Sequence, residues 1–264
     1  MSTKSKHIIK TTNLSIGYSS KKKVNTIATN LNIELKKGNL VCLLGKNGVG
    51  KSTLLRTLTK VQPALSGDIF INDKNLNNLN NLDLAKSLSL VLTERLPEST
   101  LSVYEIVALG RQPYTNWVDK LSEKDLKIIN RAIEQTNTKH LINSKYYELS
   151  DGQLQKVLIA RALAQNTKII ILDEPTAHLD IHHTIETFTL LKKLAKEFNK
   201  TIIVSTHEVN IALQLSDVLM LMTSANFIAG KTEELIENNS LNQLFDSDLI
   251  SFNKTLKQFT ISNF

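Results

Sequence analysis

Residues 45–52 read Gly-Lys-Asn-Gly-Val-Gly-Lys-Ser and match the phosphate-binding pattern G-x-x-x-x-G-K-[ST]. Such a loop needs a buried strand before it and a helix after it. Residues 40–44 are continuously apolar, as in a parallel strand buried on both faces, and three leucines recur at helical spacing after Lys51. The pattern predicts a strand–loop–helix unit of an α/β protein, and a glycine-rich turn that matches by chance is the alternative.

This loop also predicts how a nucleoside phosphate is held. Its glycines let the backbone turn N–H groups inward around a phosphate, and the helix N-terminus adds partial positive charge. Lys51 is expected to reach the β- and γ-phosphates, and the Ser52 hydroxyl is expected to ligate Mg²⁺. The loop residues expected to bind the nucleotide are Gly45, Lys46, Asn47, Gly48, Val49, Gly50, Lys51 and Ser52.

A second apolar run, residues 169–172, ends in Asp173, Glu174 and Pro175. The C-terminal ends of strands are where open α/β sheets place their ligands. Asp173 is expected to hold Mg²⁺, directly or through water, and Glu174 to polarise the attacking water as a general base. An exposed Asp-Glu-Pro turn without a catalytic role is the alternative.

Several segments, in this order along nearly the whole chain, resemble the ATP-binding cassette (ABC) superfamily of ATPases. The resemblance implies ATP and Mg²⁺ as ligands. It also implies an α/β fold with a P-loop NTPase (RecA-like) core, an inserted α-helical subdomain at about residues 95–166 and an N-terminal antiparallel β-subdomain. All of this would form a single ATP-binding domain over residues 1–264, with a tail (230–264) whose role is not readable. The matching segments are the A-loop aromatic Tyr18, Walker A (45–53, which adds Thr53 to the nucleotide ligands), the signature (149–153), Walker B (169–174), the D-loop (177–180) and the switch histidine His207.

The signature segment carries the features of an anion site. Ser150 and Gly152 precede apolar residues at helical spacing, so a hydroxyl and backbone N–H groups stand at a helix start. In the family this site, which includes Gln153, binds the γ-phosphate held by the opposite subunit. The resemblance therefore implies a head-to-tail homodimer closed by ATP. Asp151 departs from the family's usual glycine, and its carboxylate is expected to point away from the nucleotide.

Two further ring side chains are expected at the nucleotide. His207 follows the apolar segment 201–205 and is expected to contact the γ-phosphate, with a satisfied core histidine as the alternative. Tyr18 is expected to stack on adenine, since an aromatic face suits a planar base, and simple packing is its alternative. Three other histidines, without a cysteine or further ligand nearby, are interpreted as D-loop and helix-surface residues rather than metal ligands: His178, His182 and His183.

The segment between the two nucleotide-binding strands has helical patterning. Ser102 and Glu105 fit a capping box, and Gly110 is expected to close the helix that follows. Another helix is expected to start at residues 122–125. Near the start of this block the family usually carries a glutamine that senses Mg²⁺ and moves with the permease. Here Thr93 aligns with it and Glu94 follows, which puts the metal shell and the coupling in question.

Local resemblance narrows the branch. Residues 108–114 resemble the Gly-Arg-x-Pro-[Tyr/His] segment of importers for iron–siderophores, haem and cobalamin, and residues 149–157 resemble that branch's signature. Alternatively, Arg111 and Pro113 only shape a surface loop. The branch implies an ATPase subunit at the cytoplasmic face of the plasma membrane. It would power an integral-membrane permease that a substrate-binding protein supplies.

Composition limits the rivals. A net charge of +7 could favour nucleic acid or an anionic membrane surface, but the only tight basic run, residues 21–23, lacks interleaved aromatics and is interpreted as a solvated loop. No nucleic acid partner is expected. No apolar run is long enough to cross a bilayer. The first residues lack the apolar stretch of a secretory signal, so none is expected, and the single Cys42 is interpreted as core packing. The rival function is a soluble cassette ATPase acting on DNA or ribosomes; Glu174 and His207 oppose a non-catalytic nucleotide sensor.

Overall fold

The computed structural model describes residues 7–20, 23–92, 99–115, 120–245 and 249–262. Thr93, Glu94, Lys21 and Lys22, on which sequence-based expectations rest, lie outside this range. The chain divides into two compact units. The first unit comprises residues 1–79 and 191–264, and the second comprises residues 80–190.

Both units mix strands and helices. The strands are β1 (Ile9–Ser20), β2 (Lys23–Leu31), β3 (Glu34–Leu35), β4 (Leu40–Leu44), β5 (Ser66–Ile71), β6 (Lys74–Asn75), β7 (Leu88–Val91), β8 (Ile169–Asp173), β9 (Thr201–Thr206), β10 (Val218–Met222), β11 (Phe227–Lys231), β12 (Ile250–Asn253) and β13 (Gln258–Ile261). The α-helices are α1 (Lys51–Leu58), α2 (Asn81–Ser87), α3 (Val103–Ala108), α4 (Glu123–Gln135), α5 (Asp151–Ala164), α6 (Ile181–Glu197), α7 (Val209–Leu215) and α8 (Thr232–Glu237). The 3₁₀ helices are Leu76–Asn78, Leu109–Tyr114, Lys139–Leu141, Tyr146–Glu148 and Ser240–Leu244.

The core of the first unit is a sheet in the order β11-β10-β4-β9. β4 pairs in parallel with β9 on one side and with β10 on the other, while β11 runs antiparallel to β10. All five residues of β4 are buried, which explains their unbroken apolar character. Burial raises the pKa of the Cys42 thiol in this strand to about 12, so the thiol stays protonated and packs as a small apolar group. The predicted buried parallel strand is confirmed.

A second sheet in the first unit is antiparallel. β1 pairs with β2, β3 and β5, and β5 pairs with β6. The pairing of β1 with β2 places Tyr18 opposite Asn25 and shifts register between Leu14 and Gly17. This sheet confirms the predicted N-terminal antiparallel β-subdomain.

The second unit pairs β7 in parallel with β8 and carries the predicted helical block between these strands. Helix α5 packs against both α3 and α4. The expected capping box of Ser102 with Glu105 is formed at α3, and Ser122 forms another with Asp125 at α4. Each box satisfies backbone N–H groups that a helix start leaves without intrahelical partners. The sequence therefore located both helix starts.

One expectation in this block is wrong. Helix α3 ends at Ala108, and Gly110 lies inside the following 3₁₀ helix instead of closing α3. Glycine is needed at position 110 because a Cβ there would overlap the carbonyl oxygen of Arg161. In α6, Ile181 and Ile185 are 66% and 47% exposed. The buried face of α6 includes Thr184, Thr187 and Phe188.

The tail of the first unit holds α8 and the 3₁₀ helix Ser240–Leu244. The hairpin of β12 and β13 was not expected. Asn210 in α7 anchors this hairpin, since its side-chain oxygen accepts from the Phe259 N–H at 2.8 Å and its amide donates to the Phe259 carbonyl at 3.3 Å. Within the described ranges, none of the helices is long and apolar enough to span a membrane.

Candidate active site

The phosphate-binding loop leaves the buried end of β4 and enters α1 directly. Gly48 and Gly50 have φ of 77° and 113°, a left-handed backbone that glycine adopts without strain. A Cβ at Gly45 would overlap the carbonyl oxygen of Met222, and one at Gly50 would overlap the Ile27 side chain. The expected strand, glycine loop and helix are therefore all confirmed, and packing as well as backbone conformation requires the glycines.

Lys51 points back into the loop. Its side chain is buried, and Nζ donates to the Gly45 carbonyl at 3.0 Å and lies 3.4 Å from the Lys46 carbonyl. An ammonium held on loop carbonyls at a helix N-terminus forms a concentrated positive region. Backbone N–H groups and a buried cation are the chemistry that binds a polyphosphate. The residues present therefore fit the phosphates of a nucleotide.

Tyr18 lies beside the same helix. Its hydroxyl is 3.1 Å from Oγ1 of Thr53, which is buried in the first turns of α1. The hydrogen bond fixes the tyrosine, yet the residue remains 51% exposed. A ring that is fixed at its hydroxyl and open to solvent is suited to stacking on a planar base. The sequence alone did not indicate this contact between Tyr18 and Thr53.

His207 follows β9 at the edge of the sheet where the phosphate loop begins. In the parallel register, Thr206 of β9 lies opposite Leu44 of β4, so His207 and Gly45 each continue a strand beyond that edge. The imidazole is about half exposed, with Nε2 3.5 Å from a carboxylate oxygen of Glu208. It is therefore not a core histidine, and its place suits a ligand bound at the loop.

In the second unit, Asp173 is the last residue of β8 and is buried, with Glu174 directly after it. Glu174 has φ of 45°, in the left-handed region that residues with a side chain seldom adopt. The tight turn continues with a hydrogen bond from the Ala177 N–H to the Glu174 carbonyl at 3.2 Å. Strained backbone of this kind concentrates at functional sites.

The signature residues form the start of α5, also in the second unit. Ser150 is the N-cap: its Oγ accepts from the Gln153 N–H at 3.3 Å, while the Gln153 side-chain oxygen accepts from the Ser150 N–H at 3.0 Å. Gly152 packs under His183, whose Cδ2 would lie 2.6 Å from a Cβ at this position. The helix start is confirmed, and nucleotide contact by Ser150, Gly152 and Gln153 stays a prediction.

Comparison with known proteins identifies the family. A family model described as ABC transporter matches residues 28–177, more than half of the chain. The chain belongs to the ABC transporter family. It is an ABC transporter ATPase, and the resemblance drawn from its motifs is confirmed.

Individual relatives extend this cassette's similarity over almost its full length. An uncharacterised ABC transporter ATP-binding protein of Methanocaldococcus jannaschii is 38% identical over 97% of this chain and 87% of its own length. The iron(3+)-hydroxamate import ATP-binding protein of Bacillus subtilis is 33% identical over 94% of this chain and 92% of its own length. A dimeric ATP-binding cassette in a post-hydrolysis state with ADP and Pi has a TM-score of 0.72 and 27% identity, covering 85% of this chain and 98% of that one.

The cassette's site residues thus fall into two groups. The first unit brings together Tyr18, the phosphate loop with Lys51, and His207. The second unit holds Asp173 and Glu174, and the signature residues at the start of α5. The motifs lie on the strands, turns and helix starts described above, and contact of these residues with a nucleotide stays a prediction.

The clustered histidines, His182 and His183, lie in the first turn of α6, next to Asp180 at the end of the D-loop. Ligand atoms of Asp180, His182 and His183 lie within 4.8 Å of one another, largely exposed. The backbone N–H and then the ring of His183 hydrogen-bond the Asp180 carboxylate at 2.8 and 2.9 Å and hold its pKa below the usual range. These bonds cap the start of α6. The Asp180 carboxylate is thus a further potential ligand beside His182 and His183, and the interpretation that these histidines bind no metal stays a prediction.

Arg111, from the segment that resembles the chelate importers, is buried rather than part of a surface loop. Its guanidinium donates to Asp125 twice at 2.8 Å and to the Ala164 carbonyl at 2.8 Å. The Tyr114 ring covers it, with the centroid 3.9 Å from Cζ. Arg111 thereby ties the start of α4 to the end of α5, so the alternative of a surface-loop role is wrong.

Replacement of this arginine tests that role. Arg111→Met is expected to lower the free energy of unfolding by about 3 kcal/mol, because it leaves the buried Asp125 carboxylate without its cation. Hydrogen bonds from the Ser122 side chain and backbone, and then from Arg111, hold the pKa of Asp125 below its ordinary value. The contribution of Asp125 is therefore present at neutral pH and lost as the pH falls through that lowered pKa. Urea unfolding would measure the free energy of unfolding of Arg111→Met, with the exposed Gln112→Met as the control. Equal stability of the two variants would contradict the prediction.

Proposed function

We propose that this cassette is the ATP-hydrolysing subunit of an importer for an iron chelate, working as a homodimer beneath a separate integral-membrane permease at the cytoplasmic face. The observation that carries the ATPase part is the phosphate loop, in which the buried Lys51 ammonium lies on the Gly45 and Lys46 carbonyls beside a glycine-rich helix start. The similarity to the iron(3+)-hydroxamate import protein supports the cargo.

Each site residue has a place in the proposed reaction. Lys51 and the loop N–H groups bind the β- and γ-phosphates, Tyr18 stacks on the adenine, and His207 donates to the γ-phosphate. Glu174 accepts a proton from water as the water oxygen bonds to the γ-phosphorus and the bond to the ADP oxygen breaks. The strained turn supports this role for Glu174, because it holds the carboxylate at the end of β8.

Mg²⁺ is proposed as the metal that accompanies ATP. A hydroxyl at Ser52 and a carboxylate at Asp173 are the hard oxygen donors that this ion prefers. Ser52 lies in the first turn of α1, and Asp173 is the last residue of β8. When bound, the ion neutralises charge on the phosphates.

We propose that the signature residues of one copy complete the ATP site of a second copy, so that the working unit is a homodimer. The start of α5 offers backbone N–H groups and the Ser150 hydroxyl to an anion, and this cassette's own loop already binds its phosphates. A signature site therefore acts on the γ-phosphate held by a second copy. The dimeric state of the similar cassette with ADP and Pi supports this arrangement. A substrate-binding protein would deliver the chelate to the permease.

The rival, a soluble cassette ATPase acting on DNA or ribosomes, is not favoured. The net charge is what supports this rival, whereas the similar iron(3+)-hydroxamate protein of Bacillus subtilis is an import protein.

A transport assay tests the proposed cargo. In cells lacking this gene, uptake of radioactive iron as a hydroxamate chelate is expected to stop, and the wild-type chain is expected to restore it. Glu174→Gln is expected not to restore it, whereas Glu233→Gln, an exposed carboxylate on α8, is expected to do so. Haem and cobalamin serve as competing cargoes. Normal hydroxamate uptake with lost haem or cobalamin uptake would reassign the cargo, and normal uptake of all three would refute the import role.

A further inference from the structure

A small cavity lies behind Glu174 in the second unit. Its volume is about 40 Å³, and Leu92 and Leu158 line its apolar part. Its polar lining comes from Asp151 and Gln155 of α5, from Glu174, and from His178 of the D-loop. A cavity of this size with several polar groups can hold a water molecule.

Gln155 brings an unusual group to this cavity. Its side-chain Nε2 is shielded from solvent and has no hydrogen-bond partner among the residues that the structure describes. A buried donor without an acceptor is costly, so such a group calls for a partner. Two N–H hydrogens on this amide can each donate, and the polar lining of the cavity is where an acceptor can lie.

Glu174 needs support from its surroundings. Its backbone is left-handed, with φ of 45°, a conformation that residues with a side chain seldom adopt. Glu174 and Gln155 both line the cavity. A general base also works only when its carboxylate is held at the water that it deprotonates.

We propose that Gln155 is a positioning residue for Glu174. Its Nε2–H donates to a water in the cavity, and that water donates to the Glu174 carboxylate, which fixes the carboxylate's direction. No covalent bond changes in this step. The role rests on the proposed function of Glu174 as the general base. It also connects the signature helix α5, which carries Gln155, to the carboxylate after β8.

Two substitutions separate the donor from the shape. Gln155→Met fills a similar space without an N–H, and Gln155→Glu keeps the shape but replaces the donor with an acceptor. Both are expected to lower kcat for ATP by about tenfold to a hundredfold, with KM for ATP within about twofold, because one hydrogen bond to a charged group is lost. Gln112→Met is the control and is expected to keep the wild-type kcat. Retained kcat in Gln155→Met, or a raised KM with normal kcat, would overturn the proposal.

A double-mutant cycle tests whether Gln155 acts through Glu174. In single-turnover assays with excess enzyme, Gln155→Met is expected to add less than about twofold to the defect of Glu174→Gln. A full additional defect would mean that Gln155 acts elsewhere or only stabilises the fold, and it would overturn the proposal. Normal turnover of Glu174→Gln itself would instead refute the general base. The two failures are thus distinguishable.

Discussion

Glu174→Gln is expected to leave ATP binding intact and to lower steady-state hydrolysis by about a hundredfold to ten-thousandfold. The amide has nearly the size and shape of the carboxylate but cannot accept a proton from the attacking water. Asp173, Lys51 and the loop remain unchanged, so the affinity for the nucleotide is retained. Because the trapped ATP holds two cassettes together, the variant is also expected to accumulate as an ATP-bound dimer.

In this experiment the release of phosphate measures the rate of hydrolysis, and nucleotide titration measures the affinity for ATP. Size-exclusion chromatography with ATP detects the dimer. Glu233→Gln is the matched control, since it makes the same chemical change on the exposed face of α8. It is expected to behave as the wild type in all three measurements. Turnover of Glu174→Gln near the wild-type rate would reject Glu174 as the base.

Lys51→Ala is expected to weaken ATP binding by about 1.5–3 kcal/mol, because it removes a charge-assisted contact to the phosphates. Its buried ammonium also holds the carbonyls of Gly45 and Lys46, so the substitution is expected to loosen the phosphate-binding loop as well. Hydrolysis is expected to fall with it. Lys124→Ala, an exposed lysine in the first turn of α4, is the control and is expected to bind ATP normally.

Ser150→Arg gives the contrasting result. It is expected to spare ATP binding by the monomer, since Ser150 caps α5 in the second unit and the phosphate loop belongs to the first. The large side chain at the anion site is expected to block dimer formation and hydrolysis. Calorimetric titration of ATP, compared with size-exclusion chromatography, separates the two variants. A loss of affinity in Ser150→Arg as large as that in Lys51→Ala would contradict the shared site.

The local features of this cassette were predictable because they depend on neighbours in the chain. The strand of residues 40–44 and the capping boxes at Ser102 and Ser122 arise from apolar runs and from side chains that bond a backbone N–H three residues away. The motif order also identified the family, because each motif consists of residues close in sequence. Residue types at fixed spacing were therefore sufficient for the family and for the candidate site.

Other features depended on which distant residues meet. The burial of Arg111 follows from its contacts with Asp125 and with Ala164, which lies 53 positions away. Likewise, Gly110 is a glycine because of Arg161, and the hairpin of β12 and β13 is held by Asn210, 49 positions before Phe259. No local pattern encodes such partners.

The sequence by itself thus determined the nucleotide-binding chemistry and the elements that carry it, because both are written in short motifs. Only the tertiary structure decided the surroundings of those motifs. In the folded protein the Tyr18 hydroxyl hydrogen-bonds Thr53, and His183 packs over Gly152. The Nε2 of Gln155 is shielded from solvent, and Gln155 and Glu174 line the same cavity. These contacts join residues that are far apart in the chain. They form because whole helices and strands pack together by shape and burial, and the spacing of residues along the sequence does not specify that packing.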